Sequence, residues 1–506
     1  MNEFLSRAGA SRTRKLTLAL LAILAILLLA PIWLVRYPAL VDYPNHLARY
    51  FILAHLNDPR FDFGLFYRSN WGPYPYVALD LLGVGLQWLF PIGVVGRIIL
   101  TLCVAGLPLS AYFFFKQANP ENKNLAAWAL VIAYNPVLLT GLLNAALCLV
   151  VCFFYLGVWL LYMKKPDGSR WAAVLALATL LYFTHLVGFC IAGLVVFVYC
   201  ILSRQPLRQT TAALSTFVPG ALAAVWGMLH HSGYDYRGDH RDAFQWALTT
   251  KIRQLFDPFR SFSHWDEILV LIALILCLVI AFWRNPELRV ERPWLGVAGV
   301  LFLIYWIVPV EYHYLDIRIL PFVFILGVCA FKLGRRVRIL AAIALLAFLL
   351  RAIDINQAFI SRQQNLQTME DSFTAIPPHA RVLPIVSAPS DGAYFRLSYV
   401  HFWAYGVMER AWFCPFMFND PGIHPLGFTF KAQKPMQKWL KNDIAQPDWG
   451  KLQTDYDYLW VYDMPRFESP IASFAQKIYS NGPIGIFKVD HSAGVKKLSP
   501  QNPAEL

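Results

Sequence analysis

The chain has 506 residues, of which 58% are hydrophobic and only 15% are charged, and its mean hydropathy is +0.47. Soluble domains have about 25% charged residues, so the composition excludes a soluble enzyme, a disordered chain and a nucleic-acid-binding domain as the main interpretation. The net charge of +13 comes from 44 basic and 31 acidic residues. In a chain with long apolar runs, we interpret this excess as a signal of membrane topology.

The N-terminal segment carries several basic residues before an apolar run from Leu16 to Val35. This run is longer than the roughly 7–15 residues of a signal-peptide core, so we predict a first transmembrane helix at 15–34 with a cytoplasmic N-terminus. Further apolar runs lie at 75–90, 97–115, 125–163, 171–183, 185–202, 210–231, 267–284, 294–310, 319–334 and 337–352. The basic connecting segments all fall on the cytoplasmic side if 125–163 crosses the membrane once. This arrangement predicts about 11 transmembrane helices.

The sequence divides near residue 352 into an apolar and a polar part. Residues 1–352 are predicted to form a transmembrane module of α-helices with two long outer loops, 36–74 and 232–266. Residues 353–506 contain no run long enough to span a membrane, and we predict a small extracytoplasmic α/β domain. Its predicted strands are 381–386, 458–462 and 484–489, and its predicted helices are 357–373 and 469–479.

The first outer loop opens with an acid and a helix signal. Pro44 fits the first turn of a helix and Asp42 its N-cap position. His46 and Arg49 then share a face with Asp42 and are candidate substrate contacts. Apolar residues at helical spacing predict an amphipathic helix on the membrane surface. A carboxylate there is able to act as a general base on a hydroxyl; the alternative is that Asp42 only caps the helix.

Three polar residues lie inside predicted spans. Asp80 lies near the outer end of 75–90, where an ionisable residue is costly, so we expect a functional or paired role; the alternative is an acid that snorkels to the interface. Asn144 and His185 either line a polar cavity or hydrogen-bond across helices. These residues are candidate site residues, with Asp80 as a second catalytic acid.

Basic residues at the outer face are candidate phosphate ligands. Arg318 has the planar guanidinium that matches phosphate oxygens, and His313 lies in the same segment. The alternative for Arg318 is an ion pair with Asp316 or Glu311. Lys251 and Arg253, in the second outer loop, are further candidates.

Two other groups are weaker candidates. The second outer loop holds four residues with metal-ligating side chains, at spacings that match no known metal pattern: Asp235, Asp239, His240 and Asp242. A solvated loop is the alternative. In the polar part, His401 and Trp403 lie among aromatic residues that are able to stack on a sugar; the alternative is ordinary core.

The arrangement resembles the GT-C membrane glycosyltransferases, in particular the bacterial protein-mannosyltransferase-like and aminoarabinose-transferase-like branches. Val41–Arg49 carries the motif resemblance, and Thr140–Asn144 and Asp316–Pro321 carry it more loosely. The resemblance implies a polyprenyl-phosphate sugar donor, an acceptor hydroxyl on a glycan, lipid or protein, and chemistry among lipids on the outer face of the bacterial inner membrane.

The resemblance also implies roles for individual residues. Asp42 matches the position of the family's catalytic acid and would serve as the base of an inverting transfer, and Asp80 would match a second acid. Arg318, with Lys251 or Arg253, would neutralise the leaving phosphate. The Asp-Glu pair of the family's first loop is absent here, so no metal site is predicted, although Mg²⁺ or Mn²⁺ stays open as a cofactor.

Two other functions stay open. The first is a lipid or solute transporter or flippase, against which the sequence shows no internal repeat and a long polar C-terminal part. The second is a non-catalytic protein of envelope-polysaccharide assembly.

Overall fold

The computed structural model describes residues 2–230, 247–310, 315–387, 394–420, 422–429 and 449–492. The chain is mostly helical and divides into two compact units. Unit 1 contains Met1–Pro38, Pro73–Leu79 and Arg97–Ser361, and unit 2 contains Ala39–Gly72, Asp80–Gly96 and Arg362–Leu506. Unit 2 therefore combines most of the first predicted outer loop with the C-terminal part of the chain.

The helices in chain order are α1 (Asn2–Trp33), α2 (Tyr43–Ala54), α3 (Val77–Leu86), α4 (Ile92–Ala118), α5 (Trp128–Val131), α6 (Pro136–Leu139), α7 (Leu143–Lys164), α8 (Gly168–Thr184), α9 (Leu186–Leu202), α10 (Leu207–Leu214), α11 (Val218–His230), α12 (Leu248–Gln254), α13 (His264–Phe282), α14 (Arg292–Ile307), α15 (Leu315–Cys329), α16 (Val337–Ser372), α17 (Ala404–Arg410), α18 (Trp449–Asp455) and α19 (Glu468–Ala472). The strands are β1 (Tyr67–Ser69), β2 (Arg289–Val290), β3 (Phe331–Lys332), β4 (Val382–Val386), β5 (Leu426–Phe428), β6 (Tyr458–Tyr462), β7 (Ala475–Asn481) and β8 (Ile484–Val489).

Five helical segments in the described part of the chain are long and apolar enough to cross a membrane. They are Ile92–Ala118, Leu143–Lys164, Leu207–His230, His264–Phe282 and Gly334–Ala375. Shorter apolar helices lie at Leu18–Trp33, Val77–Leu86, Leu186–Leu202 and Arg292–Ile307. The chain is thus a multi-pass membrane protein, while the total of 11 crossings stays a prediction.

The predicted span 125–163 is broken before its long helix. Asn135 caps the short α6, because its Oδ1 accepts hydrogen bonds from the backbone N–H groups of Val137 and Leu138 at 2.9 and 3.3 Å. Gly141 then has a φ of +89°, a left-handed conformation that glycine adopts without steric cost. The chain turns there and enters α7, the helix of this region that is long and apolar enough to cross a membrane.

The sheet of unit 2 has the strand order β4-β6-β8-β7. The β4–β6 pair is parallel, and the β6–β8 and β7–β8 pairs are antiparallel. All five residues of β4 are buried, which suits its continuous apolar sequence. A second, two-stranded sheet joins β1 of the first outer loop to β5 of the C-terminal part, with Tyr67 opposite Phe428. The three predicted strands are confirmed as β4, β6 and β8.

The predicted helix at 469–479 is wrong over most of its length. Helix α19 ends at Ala472, and β7 begins at Ala475. Asn481-Gly482 forms a tight turn, with Gly482 at a φ of +55°, and returns the chain as β8. Hairpin pairing across this turn outweighs the weak local helix pattern. The predicted helix 357–373 is the last part of α16, which runs from Val337 without interruption.

Candidate functional site

Asp42 lies at the N-cap position of α2, but its side chain makes no capping hydrogen bond. Its Oδ1 instead lies 3.4 Å from Nε2 of His401, within unit 2. About 11% of the Asp42 side chain and 16% of the His401 side chain are exposed, and Asp42 as a whole residue is 8% exposed and counts as buried. The structure thus joins two predicted site residues from opposite ends of the chain, and it disfavours Asp42 as a simple helix cap.

Helix α2 is not the predicted amphipathic helix on the membrane surface. All residues from Tyr43 to Tyr50 are buried, including the polar ones. Asn45 and Arg49 find their partners inside unit 2, so the helix is held within the protein. The pattern of apolar residues correctly predicted a helix and wrongly placed it, because the partners of its polar face lie far away in the sequence.

Asn45 connects the Asp42–His401 pair to the C-terminal part of the chain. Its Oδ1 accepts a hydrogen bond from the backbone N–H of Phe418 at 3.0 Å, and its Nδ2 donates to the carbonyl of Phe416 at 2.9 Å. The same Nδ2 lies 3.3 Å from Nδ1 of His401. Asn45 was not among the predicted residues. Its position three residues after Asp42, on the same helix face, was the available signal.

His401 carries no charge at neutral pH. Burial lowers the pKa of its imidazole from 6.5 to about 4. The ring of His46 packs edge-on against Phe418, with centroids 5.1 Å apart. Trp403 is only 2% exposed and belongs to the core of unit 2, where an exposed sugar-stacking face is not available to it.

Arg49 and Asp80 form an ion pair within unit 2. Nε of Arg49 lies 2.6 Å from Oδ1, Nη2 lies 3.3 Å from Oδ2, and both side chains are 0% exposed. A charge in such surroundings persists only with a partner, and here each supplies the other. Asp80 therefore has the paired role that the sequence allowed, and its carboxylate is occupied by Arg49.

In unit 1, Arg318 and His185 lie together in the lining of a small pocket. Nη1 of Arg318 lies 3.2 Å from Nε2 of His185. A guanidinium only donates, so Nε2 accepts and His185 is a neutral ring with its hydrogen on Nδ1. The remaining lining combines Asn135 with apolar side chains such as Leu149 and Phe322. The pocket thus places a cation among largely apolar side chains.

Lys251 has a different environment from that predicted. Its Nζ lies 3.3 Å from Oδ2 of Asp316, and both side chains are 0% exposed. Burial lowers the pKa of Lys251, and the charge of Asp316 opposes this change. The Nζ also lies 4.5 Å from the ring centroid of Tyr305. Asp316 therefore pairs with Lys251, while Arg253 on the same helix is exposed.

Some predicted residues lie elsewhere. Asn144 is buried on α7, next to the pocket-lining residues Ala145 and Ala146. His313 and the four candidate metal ligands of the second outer loop lie outside the described residues. Within the described ranges, the structure brings together no group of three or more His, Cys, Asp or Glu side chains able to hold a metal ion.

No protein family model matches the sequence, and no curated protein matches it. Among solved structures, the chain is similar to ArnT from Cupriavidus metallidurans, both in a form bound to undecaprenyl phosphate and in the apo state. The two matches cover 96% of this chain and 99% and 100% of ArnT, with TM-scores of 0.43 and 0.44 and sequence identities of 13% and 12%.

Proposed function

We propose that this protein is a membrane glycosyltransferase that moves a sugar from a polyprenyl-phosphate donor to an acceptor hydroxyl. Asp42 is the general base. The observation that carries the proposal is the position of its carboxylate, which makes no capping bond, lies 3.4 Å from a neutral histidine and keeps 11% of its side chain exposed. The multi-pass apolar helices suit a donor and a product that are lipids.

In the proposed reaction, the acceptor oxygen attacks the anomeric carbon of the sugar and its proton passes to the carboxylate of Asp42. The new oxygen–carbon bond forms as the bond between that carbon and the donor phosphate breaks, so the configuration inverts. Polyprenyl phosphate leaves with the electron pair. A base held within reach of the hydroxyl contributes about 10²- to 10⁴-fold to such a step.

The proposed phosphate ligand is Arg318. Its guanidinium lies in a largely apolar pocket of unit 1, and its Nη1 contacts a neutral histidine rather than a carboxylate. Lys251 is a weaker candidate than the sequence indicated, because its ammonium is paired with Asp316.

The proposal assigns Asp80 a positioning role through Arg49 on α2, in place of direct contact with the reacting atoms. It also places the reaction on the outer face of the bacterial inner membrane, with the N-terminus in the cytoplasm. Mg²⁺ or Mn²⁺ remains a candidate cofactor, and an assay with and without a chelator tests it.

The test is sugar transfer from a labelled polyprenyl-phosphate sugar in proteoliposomes that contain the full chain. Asp42→Asn keeps the shape of the side chain and removes the base, so we expect transfer to fall about 10²- to 10⁴-fold. The matched control is Asp58→Asn, a change at an exposed pair in the same loop, which should leave transfer intact.

Equal transfer by the Asp42→Asn variant and the wild type would contradict the assignment of Asp42. Absence of transfer by the wild type with every donor tested would favour the transporter or the assembly protein instead.

A further inference from the structure

We propose that His401 is a positioning residue for Asp42, held by Asn45 as the neutral tautomer with its hydrogen on Nε2. This proposal rests on the proposed function of Asp42 and adds a role for the C-terminal part of unit 2. The polar chain runs from the backbone at Phe416 and Phe418, through Asn45 and His401, to the carboxylate.

The first step is the orientation of the Asn45 amide. A backbone N–H only donates and a backbone carbonyl only accepts. The oxygen of the amide must therefore face Phe418 N, at 3.0 Å, and the nitrogen must face Phe416 O, at 2.9 Å. The amide is not free to flip, because the reversed orientation would oppose donor to donor and acceptor to acceptor.

The second step is the tautomer of His401. Nδ2 of Asn45 has two hydrogens, one for Phe416 O and one for Nδ1 of His401 at 3.3 Å. Nδ1 must then present its lone pair, and the single ring hydrogen lies on Nε2, which faces Oδ1 of Asp42 at 3.4 Å. A second proton on the ring would oppose the amide donor, and burial disfavours it as well.

The third step is what this donor does for the base. A neutral N–H that faces a carboxylate oxygen, here at 3.4 Å, orients the carboxylate without cancelling its charge. An imidazolium would instead stabilise the ionised carboxylate and weaken it as a base. In general, the hydrogen bond at one nitrogen of a histidine ring decides which nitrogen carries the hydrogen.

The fourth step is accessibility. The Arg49–Asp80 pair in the same unit is fully buried, whereas the side chains of Asp42 and His401 are 11% and 16% exposed. A histidine that only filled the core would not need a fixed tautomer beside a partly exposed acid. The geometry therefore favours a role at the reacting end of α2.

The direct test is nuclear magnetic resonance of the full chain, labelled with ¹⁵N-histidine, in detergent micelles. The His401 signals are identified by their absence from His401→Gln. We expect a protonated Nε2 and an unprotonated Nδ1 at pH 6 to 8. An Nδ1–H tautomer, or a doubly protonated ring at pH 6, would overturn the proposal.

The kinetic test uses three variants in the transfer assay. His401→Gln keeps an N–H donor near the Nε2 position and should retain most of the transfer. His401→Phe removes the donor, and we expect kcat to fall on the order of 10²-fold with little change in KM. Asn45→Asp places an acceptor opposite Nδ1 and reverses the tautomer, so it should lower kcat although His401 is intact.

The matched control is His491→Gln, at a histidine of unit 2 whose side chain is 47% exposed; it should not change transfer. Equal kcat for His401→Phe and wild type, in folded protein, would overturn the positioning role. If Asn45→Asp fails to fold, the Gln and Phe variants of His401 still decide it. Absence of transfer by the wild type would overturn the proposed function, and the resonance experiment would then still decide the tautomer.

Discussion

Nε of Arg49 lies 2.6 Å from Oδ1 of Asp80, and neither side chain is exposed to solvent. The pair links α2, which carries Asp42 at its N-cap, to α3. Asp80 is thus held to the helix that begins at Asp42 through its pair with Arg49. Asp42 and Asp80 were both predicted catalytic residues, but Asp80 is paired with Arg49 whereas Asp42 lies near His401. The buried pair leads to a stability prediction.

Asp80→Asn should destabilise the protein by about 3–5 kcal/mol, because the charge of Arg49 remains buried without its counter-ion. The measurement is unfolding in detergent, followed by circular dichroism and by loss of transfer. The double change Arg49→Met with Asp80→Leu should recover most of the stability. If that double variant is folded but inactive, Asp80 or Arg49 has a direct part in the reaction that the pairing does not explain.

Gly83 on α3 allows close approach of α2. A Cβ on Gly83 would lie 2.5 Å from Cδ2 and 2.6 Å from Cγ of Tyr50, whereas a Cβ on Gly85 of the same helix would meet nothing within 4 Å. Gly83→Ala should therefore destabilise by about 1–3 kcal/mol through overpacking. Gly85→Ala should be neutral or stabilising by up to about 1 kcal/mol. Equal thermal midpoints for the two variants would contradict the close packing of α2 and α3.

Arg318→Gln should weaken the interaction with the donor phosphate. A hydrogen bond to a charged group is worth about 1.5–3 kcal/mol, so we expect kcat/KM for the polyprenyl-phosphate sugar to fall at least about 10-fold. The control is Arg208→Gln, which removes an exposed arginine of α10. An equal loss in both variants would indicate a general effect of surface charge and would contradict Arg318 as the phosphate ligand.

Asp257 makes the stability of unit 1 depend on pH. Burial raises the pKa of Asp257 from 3.8 to about 7, against the opposing charge of Arg260. Between these two values the folded protein holds a proton that the unfolded chain has lost, so the contribution of Asp257 to stability falls as the pH rises from about 4 to 7. The stability of Asp257→Asn minus that of the wild type should therefore be more positive at pH 8 than at pH 4.5.

The measurement for Asp257 is the difference in denaturant midpoint between the variant and the wild type at each pH. The variant must be compared with the wild type at each pH, because His401 changes the stability of both proteins with pH in the opposite direction. The pKa of His401 is lowered to about 4, so its contribution to stability is full above about 6.5 and is lost as the pH falls toward 4. A pH-independent difference would show that Asp257 is ionised in the folded protein.

The local signals of the sequence were sufficient to predict the helix that follows Asp42. Asp42 and Pro44 correctly indicated the start of α2, since a proline in the first turn acts within one turn of helix. The contact with His401 was not predictable. Asn45 and His401 are 356 positions apart, and neither periodicity nor local propensity reports pairing over that distance.

The same reason explains why Arg351 was missed. It lies at the end of the predicted span 337–352, where an arginine is expected to reach the membrane surface. In the structure it is only 2% exposed. It donates through Nη1 to Phe259 O at 2.6 Å and Asp266 Oδ2 at 2.8 Å, and through Nη2 to Tyr134 O at 3.0 Å. All three partners are distant from Arg351 in the sequence, and two of them are backbone carbonyls. No local sequence motif therefore predicts these contacts.

The division of unit 2 between the two ends of the sequence has a consequence for how the protein is made. At a synthesis rate of about 5–20 residues per second, the ribosome needs roughly 20 to 70 s to advance the 356 positions from Asn45 to His401. During that interval, Asn45 of α2 lacks its later partners Phe416, Phe418 and His401. Completion of the Asp42 site is therefore among the last events of biogenesis, and chains that stop before residue 401 leave it unassembled.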